Sequence, residues 1–450
     1  MGDAGGFATE MVIVFNKLSD VIKRSLLDEP LRYNSLYYRP VQNLLKQLDG
    51  MGREARQELT DRLTRRALGW AAELPGSPAA SVPLEQWPLI EKSEIQSQPG
   101  RFTRPGLIRL TAETSGSTGI PVKLYRSLQN IAAEQAFADE LLGVWNLTFA
   151  KARMAILRAD FVKPLADEKP PYGKYYKGGR KLVLSSNHLS PATAQWFYEE
   201  LGRFRPEVFF THPSSGEALA YFMQQAGVTL NIPVILTSSE MLHPSGRSLL
   251  ESTFHASVVD HYGMAERVVS ANGLATKAYF FNPAYGRVEL FSTSSGEALP
   301  GFNAYEIVAT SYWNDAMPLV RYKTSDRAIV PDTYSGTDLE DVCLGLKPVI
   351  AIQGRDKEHL ISPSGQIIVG LTHASSGVEG LVRMQLVQDS LDAVTVKVVV
   401  DPRVGAIDTK QLLRNIYMWA PRSMRFDIQP VNEILRLPSG KTPFVIRRLQ

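Results

Sequence analysis

Hydroxyl side chains and two glycines fill six consecutive positions, Thr114-Ser115-Gly116-Ser117-Thr118-Gly119, with Lys123 just beyond. Glycine lets the backbone turn so that amide N–H groups converge on an anion, and Ser and Thr hydroxyls add donors for phosphate oxygens. The spacing differs from a Walker A loop, which needs four residues between its glycines and an adjacent Lys-Ser/Thr pair. A flexible Ser/Gly linker has the same composition. Ser117 is not in a Gly-x-Ser-x-Gly elbow, and none of the seven histidines has an evident claim as its base, which weighs against a serine hydrolase.

Four further polar clusters need explaining: Tyr262-Gly263-Met264-Ala265-Glu266, Arg321-Tyr322-Lys323-Thr324-Ser325-Asp326, Gly354-Arg355-Asp356 and Ser439-Gly440-Lys441. Each alone has an ordinary alternative. Glu266 reads equally as an acid at a helix N-terminus, Tyr262 as a half-buried core aromatic, and Asp326 and Arg355 as surface ion-pair members. Ser238-Ser239-Glu240 also reads as a plain helix start.

The elements that must position these clusters follow from hydrophobic spacing. Residues 1–75 carry helical periodicity and read as a helical scaffold of three helices. Gly76, Pro78, Pro83 and Pro88 punctuate a connector containing Trp87-Pro88-Leu89-Ile90-Glu91-Lys92. Arg109-Leu110-Thr111 reads as a strand entering the hydroxyl-rich loop, and 131–142 as a helix after it. Short apolar runs at 154–157, 208–210, 234–236 and 258–259 alternate with helical stretches around 191–204, 215–226 and 244–254. That alternation argues for a parallel, doubly wound sheet, in which ligands bind beyond the carboxyl ends of the strands. The segment Asp260-His261-Tyr262-Gly263 stands at such an end. Beyond about residue 278 the helical spacing gives way to strands near 305–310 and 327–330, a β-rich subdomain. Strands at 384–387, 394–400 and 425–431 and a helix near 409–419 make the last hundred residues a compact α+β unit. The expected fold is thus α/β: an N-terminal domain over 1–353 with doubly wound mixed sheets, and a small mobile C-terminal lid over 354–450.

The whole chain excludes several classes. Its 450 residues carry a net charge of +3, from 49 basic and 46 acidic side chains, with no basic stripe, so nucleic acid is not an expected partner. One cysteine, Cys343, leaves no intramolecular disulfide and no cysteine-based metal cluster. His255 and His261 lack His-x-x-x-His spacing, so no zinc site is expected. The start lacks a basic segment leading into a long apolar one, and no stretch reaches membrane-spanning length. The expected setting is cytoplasmic. Oligomeric state is not legible.

In order and spacing the clusters resemble the adenylate-forming superfamily of acyl- and aryl-CoA ligases and adenylation domains. Within it the chain looks most like the phenylacetate–CoA ligase family, particularly its CapK-like branch. Trp87-Pro88-Leu89-Ile90-Glu91-Lys92 is similar to that family's N-terminal Pro/Lys element, and Gln385-Leu386-Val387-Gln388 with Ser439-Gly440-Lys441 to its C-terminal domain. The resemblance runs from about residue 80 to the end.

The resemblance implies a ligase that uses ATP and Mg²⁺ to activate a small, aromatic or aryl-alkyl carboxylic acid as acyl-AMP. A thiol of CoA or of a carrier protein would then take the acyl group. In the CapK-like alternative the acceptor is an amine or hydroxyl, and in a third reading the protein only binds nucleotide. By the same resemblance, Thr114 to Gly119 hold the ATP phosphates, Glu266 ligates Mg²⁺, and Tyr262 packs on adenine with Ser239, Glu240, Asp260, His261 and Gly263 nearby. Asp326 and Arg355 take the ribose, Lys441 bridges carboxylate and α-phosphate, and Lys357 is the hinge. Phe137, Trp145, Phe209, Phe210 and His212 are candidates for the acyl pocket by position. Two departures stand out: Ala265 where relatives have Thr or Ser, and Ser325 for a customary Gly.

Overall fold

The structure is a computed structural model that describes residues 28–113, 122–158, 160, 162–163, 167–273, 278–292, 301–354, 360–363, 367–368, 371–375, 378–417, 420–434 and 443–449. Among the described residues a short helical segment (Asp28–Arg32) and two longer helices, α1 (Ser35–Leu48) and α2 (Arg53–Ala71), form the helical layer near the N-terminus, and the first of the three expected helices lies outside the described residues. A short helix, α3 (Lys92–Ser97), follows the proline-rich connector and begins with a capping box between Glu91 and Glu94. The hairpin of β1 (Arg109–Glu113) and β2 (Lys123–Ser127) frames residues 114–121. Ser127 caps α4 (Leu128–Glu140) by accepting the amide of Asn130.

Next come β3 (Met154–Arg158), β4 (Gly173–Tyr176), β5 (Lys181–Ser185), α5 (Ala194–Phe204), β6 (Val208–Thr211), α6 (Pro213–Gln225), β7 (Val234–Ser238), α7 (Pro244–Phe254) and β8 (Ser257–Gly263). With β9 (Ser270–Gly273) and β10 (Phe280–Phe281) they build an eight-stranded sheet in the order β10-β9-β8-β7-β6-β3-β5-β4. Its five central strands, β8 to β5, are parallel, as strand–helix alternation requires, and its edges are antiparallel. Residue alternation divides it into two apolar faces. Phe209, Ile235 and Val258 pack with α5, α6 and α7, while Ile156, Phe210, Leu236 and Val259 pack with Leu141 and Leu142 beyond α4.

The β-rich part is an antiparallel sheet of β11 (Gly286–Ser292), β12 (Phe302–Ser311), β13 (Tyr322–Pro331) and β14 (Ala351–Gln353). The small C-terminal part contains the β15 (Leu360–Ile361) and β16 (Ile367–Ile368) pair. Its main sheet joins β17 (Leu381–Ser390), β18 (Ala393–Val400), β19 (Arg425–Pro430) and β20 (Val445–Arg447) in the order β19-β18-β17-β20. Helix α8 (Thr409–Ile416) covers it through Leu412 and Ile416.

One buried carboxylate ties the helical layer to the sheet. Asp139, 4% exposed near the end of α4, accepts from the Tyr38 hydroxyl at 2.8 Å, the Tyr33 hydroxyl at 3.3 Å, Gln135 Nε2 at 3.2 Å and the Phe149 amide at 2.6 Å. Truncating it would leave those donors buried without a partner. Asp139→Ala is therefore expected to lower unfolding free energy by about 2–4 kcal/mol, measured by urea titration; a loss within error would show that water replaces the carboxylate.

Candidate active site

The centre of the site is a buried acid. Glu266 is 3% exposed and lies in the turn between β8 and β9. No helix begins there, so the helix-start alternative for Glu266 falls. The Tyr322 hydroxyl donates to its Oε1 at 3.0 Å, and Lys92 Nζ lies 3.7 Å from the same oxygen. Its Oε2 is buried and has no hydrogen-bond partner. A buried carboxylate oxygen held this way suits a hard divalent cation that completes its shell with water and phosphate oxygens. Among the described residues no group of three His, Cys, Asp or Glu side chains could hold a metal by itself.

Sequence reasoning noted Lys92 only as part of an element and missed Tyr322. The signal was tertiary. Ile90 bridges to Tyr322 in parallel, its amide donating to Arg321 O and its carbonyl accepting from the Lys323 amide, both at 3.0 Å. Glu91 pairs with Lys323 at 2.7 Å. The connector thereby adds itself to β13 and delivers Lys92 to Glu266. Arg321 anchors it from below, donating to the carbonyls of Glu85 and Trp87 at 2.7 and 2.9 Å while paired with Glu289.

Tyr262, near the end of β8, donates its hydroxyl to Asp326 Oδ2 at 2.6 Å. Burial, then the neighbouring Asp326 charge, raises its pKa well above the usual phenol value, so it stays a donor. Asp326 is fixed in turn by its own amide on Thr324 Oγ1 at 3.0 Å. Ser325 between them has φ +61°, in the left-handed region; this is the physical reason a glycine is customary there. Arg126 on β2 donates to the Ala265 carbonyl at 3.0 Å, and burial lowers its pKa to about 10.

The other expected residues separate. Ser239, with φ +72°, accepts from Arg158 Nη2 at 2.9 Å. Glu240 is no helix start: its Oε2 accepts the Ser214 amide at 2.9 Å and so caps α6. His212 precedes α6, with Nδ1 3.2 Å from Ser238 O. His261 Nε2 lies 3.2 Å from Ser270 Oγ, and burial lowers its pKa. A Cβ on Gly263 would stand 2.8 Å from that ring. Asp260 is turned into the fold, both oxygens taken by the hydroxyls of Thr237 and Tyr279. Phe137 packs on Tyr285 and Trp313 in the helical-layer core, Trp145 lies in the cluster beyond α4, and Phe209 is fully buried against Phe254. Phe137 and Phe209 are core residues and Trp145 is half-buried against one; Phe210 and His212 remain at the strand ends. Thr114, Ser115, Gly116, Ser117, Thr118, Gly119, Arg355, Lys357 and Lys441 lie outside the described residues.

The C-terminal part docks along one edge of α6. Arg383 Nε lies 3.5 Å from Glu217 Oε2, the Tyr221 hydroxyl donates to Val400 O at 3.2 Å, Gln225 Nε2 donates to Asp401 at 3.3 Å, and Arg403 donates to Gln224 at 2.7 Å. Positions 217, 221 and 225 are successive turns of one helix face. A cavity lined by Ser214, Glu217, Glu240, Arg383, Ile434 and Phe444 lies between the two parts. Gly246 of α7 makes room for the acid, since a Cβ there would stand 2.0 Å from Glu217 Oε1.

Residues 360–448 match the CapK C-terminal domain family. The chain is 23% identical over 388 residues to protein CapK of Staphylococcus aureus, covering 84% of this chain and 83% of that protein. It is 24% identical over 260 residues to the phenylacetate–coenzyme A ligase of Aromatoleum evansii, covering 52% and 54%. Among solved structures, 2-hydroxyisobutyryl-CoA ligase in the postadenylation state with R3-HIB-AMP superposes with a TM-score of 0.60 at 15% identity, over 88% of this chain and 90% of that one. No helix among the described residues is long and apolar enough to cross a membrane.

Burial pushes the Glu217 carboxyl up from its ordinary 4.5 to about 7, with Arg383 opposing and Glu240 and Asp260 adding. The folded protein then holds a proton that the unfolded chain releases between those values, so stability falls as pH rises through that window. The thermal midpoint of the wild type is expected to drop from about pH 5 to about pH 8 more than that of Glu217→Gln; parallel profiles would show an ordinary carboxyl. The last stretch of the chain thus matches the CapK C-terminal domain family, the chain is similar in sequence to protein CapK and to a phenylacetate–coenzyme A ligase, and its fold is like that of 2-hydroxyisobutyryl-CoA ligase.

Proposed function

We propose that the protein is an ATP-dependent, adenylate-forming ligase for a small carboxylic acid. One observation carries the reading: a buried Glu266 with a free oxygen stands one turn from Tyr262, which is bonded to Asp326, at the carboxyl end of a parallel sheet. Such an end is where open α/β sheets take ligands. Tyr262 presents a ring face for adenine, and Asp326 keeps acceptor capacity for the ribose hydroxyls. Arg126 of β2 donates to the Ala265 carbonyl beside Glu266. Arg126 and Lys92 add positive charge where phosphates would lie.

In the first step a carboxylate oxygen of the acid attacks the α-phosphorus of ATP, and the bond to pyrophosphate breaks. Mg²⁺ bound with ATP would neutralise charge on the phosphate oxygens, and Glu266 Oε2 is the residue atom that fits it. Lys441 would bridge the two reacting groups. In the second step an acceptor attacks the acyl carbon and AMP leaves with the bonding pair of its phosphate oxygen. A thiol of CoA or of a carrier protein is the first acceptor to test. An amine or hydroxyl is the second reading, favoured by the match of 360–448 to CapK.

Pyrophosphate release over a panel of acids, with CoA or amines as acceptors, tests this. Glu266→Gln is expected to slow Mg²⁺-dependent release by about two orders of magnitude or more; unchanged rates at saturating ATP would remove Glu266 from the metal site. Lys441→Ala is expected to cripple adenylate formation while sparing transfer from a supplied acyl-adenylate. Equal loss of both steps would contradict the role.

A further inference from the structure

Arg158 is the last residue of β3, and its side chain runs across the ends of the neighbouring strands. The guanidinium carbon stands 4.3 Å from the centroid of Phe210 on β6, and Nη2 donates to Ser239 just past β7. Two strand spacings, about 10 Å, separate β3 from β7, so the guanidinium spans from Phe210 to Ser239. Ile156, Phe210 and Val259 share one face of the sheet, and His261, two residues on from Val259, shares it too. His261 feels both Arg158 and Glu134 of α4.

A buried charge is costly unless it is paired and fully hydrogen-bonded. Arg321 meets that condition, with Glu289 and two backbone carbonyls around it. Arg158 does not. The side chain is half-buried, its Nε is buried without a partner, its Nη2 reaches Ser239, and among the described residues Asp160 and Glu240 act on it from a distance without forming an ion pair. A guanidinium is a planar fork that matches a carboxylate, and its attraction is strengthened where Phe210 keeps water from one side.

We propose that Arg158 binds a second, non-reacting carboxylate of the acid substrate, so that the acids activated are short diacids or acids with an equivalent anionic group. The inference rests on the ligase reading for the identity of the first carboxylate. Ser239 stands one strand spacing, about 5 Å, from the end of β8, a gap that a short diacid spans between Arg158 and Tyr262. Phe210 then serves as a floor under the carbon skeleton rather than as the wall of an aryl pocket.

The test gives the full chain ATP and Mg²⁺ with succinate, adipate or isophthalate, against butyrate, hexanoate or benzoate. Pyrophosphate release and calorimetric binding are both read. The wild type is expected to prefer the diacid by on the order of 100-fold in kcat/KM. Arg158→Gln is expected to lose that preference, its diacid rate falling far more than its monocarboxylate rate, and Arg158→Lys to keep part of it. Equal use of both acid classes by the wild type, or equal loss of both in Arg158→Gln, overturns the proposal and leaves adenylation standing. Arg158-dependent diacid binding with no pyrophosphate from any acid supports the proposal and removes the ligase reading. Diacids that neither bind nor react overturn it.

Discussion

A carboxylate held out of water next to the ends of parallel strands is the constraint that the rest of the molecule answers. Glu266 at 3% exposure needs donors and positive charge, and neither is available from its own turn. They come from segments far away in the chain: Tyr322 from β13 and Lys92 from the connector. Lys92 arrives because Ile90 pairs with β13, and Ile90 pairs because Arg321 holds the carbonyls of residues 85 and 87. The donors satisfy one oxygen and leave the other bare. That asymmetry is what makes the site read as a place for a cation rather than as a structural salt bridge.

The eight-stranded sheet also separates two kinds of chemistry by residue alternation alone. On the face covered by α6 and α7, Tyr262 points toward Asp326, and Glu217 meets the C-terminal part. On the other face, Arg158 lies on Phe210 near His261. The docking edge of α6 repeats at successive helical turns, so one rigid helix both ends at the cleft and seats the smaller sheet.

The acyl pocket is where one-dimensional reading was weakest. Phe137 and Phe209 are aromatic, near the right strands, and buried in cores, and Trp145 is half-buried against one. A period of two places Phe209 and Phe210 on opposite faces, but nothing in their neighbours' identities says which face opens to a cleft. Arg158 carried no motif. Its significance is that, among the described residues, no acid forms an ion pair with it, which no linear pattern reports.

Strand–helix alternation from 150 to 270 was legible because a parallel sheet buried on both faces needs short apolar runs and amphipathic crossovers, and the structure has them within a few residues. The clusters around Tyr262 and Asp326 were legible because their spacing follows a family pattern. The strand at 445–447 and the edge strands β4, β9 and β10 were not, since a short strand is stabilised by the neighbour it pairs with rather than by its own composition. The sequence by itself therefore determined the architecture and the chemical types at the strand ends, because periodicity and hydroxyl-rich or acidic clusters are local properties. Only the tertiary structure decided that Lys92 and Tyr322 meet Glu266, that Asp260 is consumed by Thr237 and Tyr279, and that Arg158 forms no ion pair among the described residues. Pairing across the chain depends on which surfaces close on one another, and that is settled by packing in three dimensions.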